Sequence, residues 1–377
     1  MQFRDLKRQY LALKPEIDNA VFEVLESGAY IMGPQVIELE RQLAGYVGTR
    51  HCISCASGTD ALILALKALG VRQGDAVFVP DFTFFASVEA VSSAGATPVF
   101  VDVKSDTFNI DPTDLEKKIE ATFEKGELNP KVIIAVDLFG LAADYLAIRK
   151  IAGNHGLLIL EDGAQGFGGA VNGKRCGSFG DISTTSFFPG KPLGCYGDGG
   201  ACFTDSDEWA ALMDSYRIHG KGSSKYDNVR MGMNSRLDTI QASILLVKLT
   251  AFAGELAAVN QAASEYTSRL AEIVETPVVP DGFLSNRAQY TIKLNNKIER
   301  DGLQACLKGH GIPSMVYYPA PIHRQKAYDI LRLPDPDCPV AGRLCETVLS
   351  LPIHPYITSE EITEVCNAIK AFLYRQR

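Results

Sequence analysis

The sequence carries no surplus of positive charge: 37 Lys and Arg face 45 Asp and Glu, giving a formal net charge of −8 and a pI of about 5.4. A nucleic-acid binder needs a basic face for its sequence-independent affinity, so this balance argues against a nucleic-acid partner. It leaves room for one anionic ligand in a local basic cleft. The chain also lacks an apolar leader, since Met1-Gln-Phe-Arg-Asp-Leu-Lys-Arg is charged from the start, and a cytoplasmic protein is expected. No apolar run reads as long as the roughly 18 to 20 residues of a membrane span. Residues 132–141, for example, are interrupted by Asp137 and Gly140, and no membrane segment is expected.

The cysteines form no framework either. Nine are scattered singly between Cys52 and Cys366, an odd number that does not fit a disulfide-stapled secreted domain. Cys52 and Cys55 have CxxC spacing but no second Cys or His pair at zinc-ligand distance, so buried reduced thiols are expected and no metal. There is no internal repeat, no low-complexity stretch and no Pro/Ser-rich linker. Gly166-Phe167-Gly168-Gly169 and Gly197-Asp198-Gly199-Gly200 match neither the GxGxxG nor the GxxxxGK[ST] spacing of nucleotide loops. A GxSxG elbow is absent as well, since Ser178 lies in Cys176-Gly177-Ser178-Phe179-Gly180, which leaves Ser hydrolysis unsupported.

What remains is a soluble enzyme's composition, with 46% hydrophobic and 22% charged residues and a mean hydropathy of +0.02. A chain of 377 residues exceeds what one core normally organises and predicts a large domain with a smaller one. Two N-terminal helices are expected between Pro15 and Val47, the first with Ile17, Val21, Val24 and Leu25 on one stripe. Apolar strand-like runs at 76–79, 97–101, 132–136 and 157–160 then alternate with amphipathic segments at 61–69, 87–94, 112–123 and 145–155. Strands at 182–186 and 201–204 continue the pattern. This rhythm predicts an α/β fold with a mostly parallel sheet covered on both faces and ligands at the carboxyl ends of its strands. Helices at 237–252 and 256–273, a strand at 289–294 and helices at 300–310 and 360–374 suit a smaller α+β domain. The division is placed at 1–250, a large ligand-binding domain with the N-terminal helices, and 251–377, a small C-terminal domain.

Three segments lie where such a fold collects its ligand. Ser57-Gly58-Thr59-Asp60 is a small-residue turn opening into a helix, an arrangement that suits a phosphate and equally suits plain helix capping. Glu161-Asp162-Gly163-Ala164-Gln165 follows a strand; it is either a solvated turn or a source of one acid aimed into the cleft, where an Asp can keep a pyridine nitrogen protonated and a Gln can reach a ring oxygen. In Ser186-Phe187-Phe188-Pro189-Gly190-Lys191-Pro192 a lysine sits among aromatics, Pro and Gly. Desolvation there favours the neutral amine that forms a Schiff base, against the alternative of a lysine snorkelling from a loop.

Together these segments resemble the DegT/StrS sugar-nucleotide aminotransferases, a branch of the fold type I (aspartate-aminotransferase-like) enzymes that use pyridoxal 5′-phosphate. The likeness spans nearly the whole chain, through Phe3-Arg-Asp-Leu, Gly33-Pro-Gln-Val, Ser57-Gly-Thr-Asp-Ala-Leu, Phe82-Thr-Phe-Phe-Ala-Ser, Glu161-Asp-Gly-Ala-Gln, Ser186-Phe-Phe-Pro-Gly-Lys, His219-Gly and Asn234-Ser-Arg-Leu-Asp-Thr-Ile-Gln-Ala. The resemblance implies that Lys191 is the Schiff-base lysine and proton carrier, with Asp162 on the pyridinium nitrogen and Gln165 on the ring oxygen. It implies a phosphate cradle of Gly58, Thr59 and Ser186, and Phe84 stacked on the ring. Asn234 falls where the family reaches into a neighbouring subunit's site, which implies a homodimer with shared sites; the other reading is that Asn234 and Arg236 cap the helix after them. Residues 186–200, 232–246 and 350–356 are similar to the subgroup acting on UDP-2-acetamido-2-deoxy-3-keto-glucuronic acid with L-glutamate as amino donor, for bacterial surface polysaccharide. In that reading Arg236 meets the sugar carboxylate, Tyr317 and Tyr318 meet the substrate, and Tyr30 and His323 line its approach. The chain departs from the subgroup at Tyr317, where His is the pattern, and from the family at Gly163, where Ala is common. A transaminase for a 4-keto or other 3-keto nucleotide sugar and a non-catalytic regulator of the same fold stay open, whereas Lys191 counts against the related dehydratases, which carry His there.

Overall fold

The computed structural model describes residues 1–224, 226–329 and 333–376. Three helices open the chain, α1 (Leu6–Ala12), α2 (Lys14–Ser27) and α3 (Pro34–Val47). Helical periodicity anticipates the last two. It misses α1, a short helix with no buried residue that starts where the Asp5 side chain accepts a hydrogen bond from Arg8 N at 2.9 Å. Pro15 and Pro34 occupy first turns, where their missing N–H would have had no helical acceptor.

Strand and helix then alternate as expected: β1 (His51–Cys55), α4 (Gly58–Ala68), β2 (Asp75–Pro80), α5 (Ala86–Ser93), β3 (Thr97–Val101), α6 (Pro112–Lys125), β4 (Asn129–Val136), α7 (Tyr145–His155) and β5 (Leu158–Asp162). The short β6 (Ala170–Val171) and β7 (Lys174–Arg175) pair with each other before β8 (Ile182–Ser186), β9 (Gly200–Thr204) and α8 (Asp207–Tyr216). The main sheet has seven strands in the order β1-β9-β8-β5-β4-β2-β3, and only β9 runs antiparallel to its neighbours. Side chains of β2 and β4 divide by alternation: Val77, Val79, Ile134 and Val136 pack with α4 and α5, while Ala76, Phe78, Ile133 and Ala135 pack with α6 and α7. Both faces are dry, which is why these strands read as unbroken apolar runs.

The second half differs from the sequence reading. Where two helices at 237–252 and 256–273 are expected, one helix, α9 (Thr239–Leu270), runs through Gly254 and Glu255. Glu255 is no helix end. It is buried, and its carboxylate accepts from Gln9 Nε2 at 2.9 and 3.0 Å and from the Tyr356 hydroxyl at 2.7 Å. The division after residue 250 therefore falls inside a continuous helix. Ala242 and Leu245 of α9 pack with Phe187 and Leu193, whereas Val259, Ala263, Tyr266 and Leu270 belong to a C-terminal core. By length and composition α9 also passes for a membrane span, with an 18-residue window of mean hydropathy 1.7. This corrects the expectation that no stretch does; its apolar residues serve two protein cores.

After β10 (Phe283–Leu284), which pairs with β6, the C-terminal core is built from β11 (Tyr290–Lys293) and α10 (Lys297–Gly309), then from β12 (Val348–Leu351) and α13 (Ser359–Gln376). Between α10 and β12 lie α11 (Lys326–Asp329) and α12 (Pro339–Thr347); Tyr328, Ala341 and Leu344 return to the core of the main sheet.

Beneath the carboxyl end of β5 lies a buried pair of acids. Glu161 accepts from the Phe179 and Gly180 amides at 2.7 and 3.2 Å, from the Ser183 hydroxyl at 2.7 Å and from the Gly177 amide, so it anchors the turn before β8 as a carboxylate. Asp137 receives the Tyr145 hydroxyl and Ala143 N on one oxygen, while its other oxygen has no donor. Burial and the Glu161 charge push the Asp137 carboxyl well above the usual range, and burial does the same to the nearby Cys176 thiol. The three ligand-type atoms lie within 4.8 Å of one another, and a proton on Asp137 satisfies the pair. Because Asp137 takes up this proton on folding, its contribution to stability falls as pH rises from about 3.9 towards the raised value. Asp137→Asn should therefore melt at or above the wild-type temperature at pH 8, with an advantage that shrinks as pH falls to 4, whereas Glu161→Gln should lose about 2–3 kcal/mol. Thermal melts across that range check this; a pH-independent difference for Asp137→Asn would rule out the bound proton.

Candidate active site

Lys191 sits in the loop between β8 and β9, and helix α9 holds that loop in shape. The Lys191 amide donates to Phe188 O at 2.8 Å and the Cys195 amide to Phe187 O at 2.8 Å. Only glycine closes the turn at 194, where a Cβ would lie 2.5 Å from Pro189 O. Two side chains of α9 reach in. Lys248 Nζ donates to Gly194 O at 2.6 Å and lies 4.3 Å from the Tyr196 ring centroid, and Gln241 accepts from Tyr196 N at 2.8 Å. The Lys191 side chain has no hydrogen-bond partner among the described residues and keeps part of its surface open. Protein crowds its amine, so desolvation lowers its pKa to about 8, against a partial pull upward from Asp162 and with a further push down from Arg4.

Asp162 belongs to the last position of β5, not to a turn after it. It is buried, and its carboxylate is aimed by the Ser87 hydroxyl at 2.7 Å and by Ala164 N at 3.2 Å. A carboxylate with two donors still has lone pairs for a ring N–H. Gln165 is oriented without ambiguity: its Oε1 accepts from Phe139 N at 2.8 Å, and its Nε2 donates to the Tyr318 hydroxyl at 3.1 Å. Asn286 fixes the backbone of the same segment by donating to Gln165 O at 2.6 Å and to Phe167 O at 2.9 Å. Burial raises the Tyr318 phenol above its ordinary pKa, so it stays protonated and can donate onward.

The third component is the start of α4. The Ser57 side chain is spent as the N-cap, accepting from Asp60 N at 3.1 Å, which leaves the Gly58 and Thr59 amides at the positive end of the helix without acceptors among the described residues. Ser186 faces them across so little space that a Cβ on Gly58 would sit 2.6 Å from its Cβ. Ser235 binds this turn from the side, donating to Asp60 at 2.6 Å and accepting from Ala56 N at 3.1 Å. Phe84 is half exposed, with its ring 6.3 Å from that of Tyr318.

The structure thus gathers Lys191, Asp162, Gln165, Gly58, Thr59, Ser186, Phe84, Tyr317 and Tyr318 around one cleft. Tyr30, Asn234, Arg236 and His323 stand apart. Tyr30 is exposed and donates to Leu25 O at 3.3 Å. Asn234 is exposed, and neither it nor the partly buried Arg236 has a side-chain partner among the described residues; the helix cap that follows is Asp238, so they do not cap α9. His323 is clamped by Asp81, which accepts from its amide at 2.9 Å and pairs with Nδ1 at 2.5 Å, and its other contact is with the Phe100 ring. Sequence reading missed Ser87, Arg4, Phe139, Asn286 and Lys248. Ser87 and Arg4 lie inside the quoted motifs Phe82–Ser87 and Phe3–Leu6, but what they touch comes from distant segments.

A model described as the DegT/DnrJ/EryC1/StrS aminotransferase family matches residues 12–370. The chain belongs to this family. A DegT/DnrJ/EryC1/StrS relative, the UDP-2-acetamido-2-deoxy-3-oxo-D-glucuronate aminotransferase of Pseudomonas aeruginosa, is 43% identical over 98% of this chain and 99% of its own. The crystal structure of a DegT DnrJ EryC1 StrS aminotransferase from Brucella abortus superposes with a TM-score of 0.96 at 47% identity, covering 99% of both chains. That of S. venezuelae DesV, in complex with a ketimine intermediate, gives 0.93 at 37% identity over 99% of this chain and 98% of the other. The protein is accordingly a pyridoxal-phosphate-dependent aminotransferase with the expected α/β fold of this family. The cleft fits that cofactor, with an unpaired amine of lowered pKa, a buried and aimed carboxylate, and a helix start pressed against Ser186. Gly58→Ala should force that turn apart and weaken pyridoxal phosphate binding by about tenfold, the equivalent of modest overpacking. Titration of the apo-protein checks it, and unchanged affinity would remove the phosphate from this turn.

Proposed function

We propose that this aminotransferase moves an amino group from L-glutamate to the 3-keto carbon of UDP-2-acetamido-2-deoxy-ribo-hex-3-uluronic acid, making an amino sugar for bacterial surface polysaccharide. The end-to-end match to the Pseudomonas aeruginosa enzyme carries this reading. Pyridoxal phosphate, when bound, supplies an electron sink for the carbon from which a proton is removed.

The chain's own residues do the rest. Gly58, Thr59 and Ser186 would hold the phosphate, Phe84 would lie against the ring, Asp162 would keep the ring nitrogen protonated, Gln165 would support the ring oxygen and Lys191 would carry the cofactor covalently. The Lys191 Nζ, when free, would take the proton from the α-carbon of L-glutamate and, in the second half, return a proton to C3 of the sugar. A pKa of about 8 suits both duties, since the amine accepts and releases protons near neutrality. Tyr318, with its hydroxyl already oriented by Gln165, is placed to donate to the substrate. Tyr317, beside Tyr318, adds to the substrate's surroundings.

Asn234 and Arg236 act across a homodimer, Asn234 on the partner's phosphate and Arg236 on the partner's sugar carboxylate. Their lack of side-chain partners among the described residues supports this, as do the exposed apolar side chains of Phe22, Ile37, Phe188 and Met231. All nine cysteines are free and all but Cys306 are buried, as a reducing cytoplasm permits.

Two results check the lysine. Lys191→Ala should keep the fold while losing the absorbance of covalently held cofactor and almost all transamination; near-normal turnover contradicts the assignment. In the wild-type apo-protein, the rate of covalent cofactor capture should climb with pH and level off above about 8, not near 10.5. Shared sites are tested by mixing: inactive Lys191→Ala and Asn234→Ala dimers, dissociated and reassociated together, should regain part of the activity. For the sugar, product mass after incubation with the 3-keto uronate or a 4-keto nucleotide sugar decides, and no amination of the uronate refutes the substrate.

A further inference from the structure

Arg4 lies before the span matched by the family model, yet its charge bears on Lys191 and Tyr317. Its Nη2 donates to Ala288 O at 2.9 Å, and Ala288 is held in turn by Asn286, the residue that fixes the backbone of Gln165. Phe3, its neighbour, packs edge-on against Tyr317 at 6.1 Å. Together with Pro192, the residue after Lys191, Arg4 borders a cavity of about 20 Å³, enough for a water and no more. Its Nε and Nη1 have no acceptor among the described residues and are not sealed from solvent.

This guanidinium forms no ion pair among the described residues. Glu255, on the same small cavity, is occupied by Gln9 and Tyr356 and makes no ion pair with it. Crowding desolvates Arg4 enough to lower its pKa to about 10, and its charge bears on Lys191. Two cations thus act on one another here, with Asp162 drawing on Lys191 and Glu255 on Arg4. A desolvated guanidinium with free N–H donors is what a carboxylate binds through charge-assisted hydrogen bonds.

We propose that Arg4 is a carboxylate receptor of the active site, a specificity-determining residue that takes the acid group of a substrate while Lys191 works on its carbon. The inference rests on Lys191 being the reacting amine. Two substrates of the proposed reaction carry a carboxylate, the amino donor and the uronic acid, and the arms of one experiment separate them. Holoenzyme with Arg4→Gln and with Arg4→Lys is assayed in the separate half-reactions: with L-glutamate, with the nucleotide-linked 3-keto uronate, and with the uncharged 3-keto hexose counterpart. Calorimetry with glutarate, which has the carboxylates but no group to react, adds a binding readout on the apo-protein.

Arg4→Gln should raise KM at least about tenfold for the acid that Arg4 receives, the size of one charge-assisted hydrogen bond. The uncharged sugar should be unaffected, and Arg4→Lys should recover part of the loss. A loss on L-glutamate and glutarate assigns the donor; a loss confined to the uronate assigns the sugar. Equal loss on every substrate, including the uncharged one, makes Arg4 structural and overturns the proposal, as does no loss on any. If the wild-type enzyme consumes L-glutamate but not the uronate, the proposed sugar fails, and the glutamate and glutarate arms alone judge Arg4.

Discussion

A lysine amine held out of water is the constraint on which the rest of this structure depends. Exposed, Lys191 would be a protonated cation at neutral pH and a poor nucleophile. The loop between β8 and β9 crowds its amine, and that desolvation is the largest cause of the lowered pKa. Asp162 pulls its pKa upward, Arg4 pushes it downward, and the balance near 8 leaves both protonation states accessible. The hydrogen bonds around it serve that balance. Ser87 and Ala164 fix the Asp162 carboxylate, and Glu161, one residue earlier in the same strand, anchors the turn that leads into β8.

The parallel sheet was the most legible part of the sequence. Strands β3 and β8 fall on their expected residues, β3 as a short apolar run and β8, Ile-Ser-Thr-Thr-Ser, as a β-branched and small-residue run that continues the strand–helix rhythm. Helix α9 was read as two, at 237–252 and 256–273, with Gly254 and Glu255 falling between them. That reading fails for a tertiary reason, since Gln9 and Tyr356 come from far away to satisfy the acid inside the helix. The same physics hid α1, whose seven residues bury nothing and so carry no apolar stripe.

Cofactor-type residues were legible for a different reason. Lys191, Asp162, Gln165 and Gly58 each lie beside the end of a strand, where local chain geometry alone brings a side chain or an amide to the cleft. Ser87 and Arg4 were not, because a serine inside a helix and an arginine in a charged N-terminus look ordinary until Asp162 and Ala288 are seen against them. Asn234 and Arg236 have no side-chain partner among the described residues, so neither local sequence nor the fold of one chain gives them a contact to read.

Helix α9 gives the molecule a mechanical property beyond its packing. Its first turns hold the Lys191 loop through Gln241 and Lys248, and its last turns are built into the C-terminal core through Tyr266 and Leu270. With no break at Gly254, the two ends are joined as on a rigid beam. A rocking of the C-terminal core that widened or narrowed the cleft would be transmitted along this beam to Gly194 and so to the reacting amine. Opening the site and repositioning its lysine are therefore one movement.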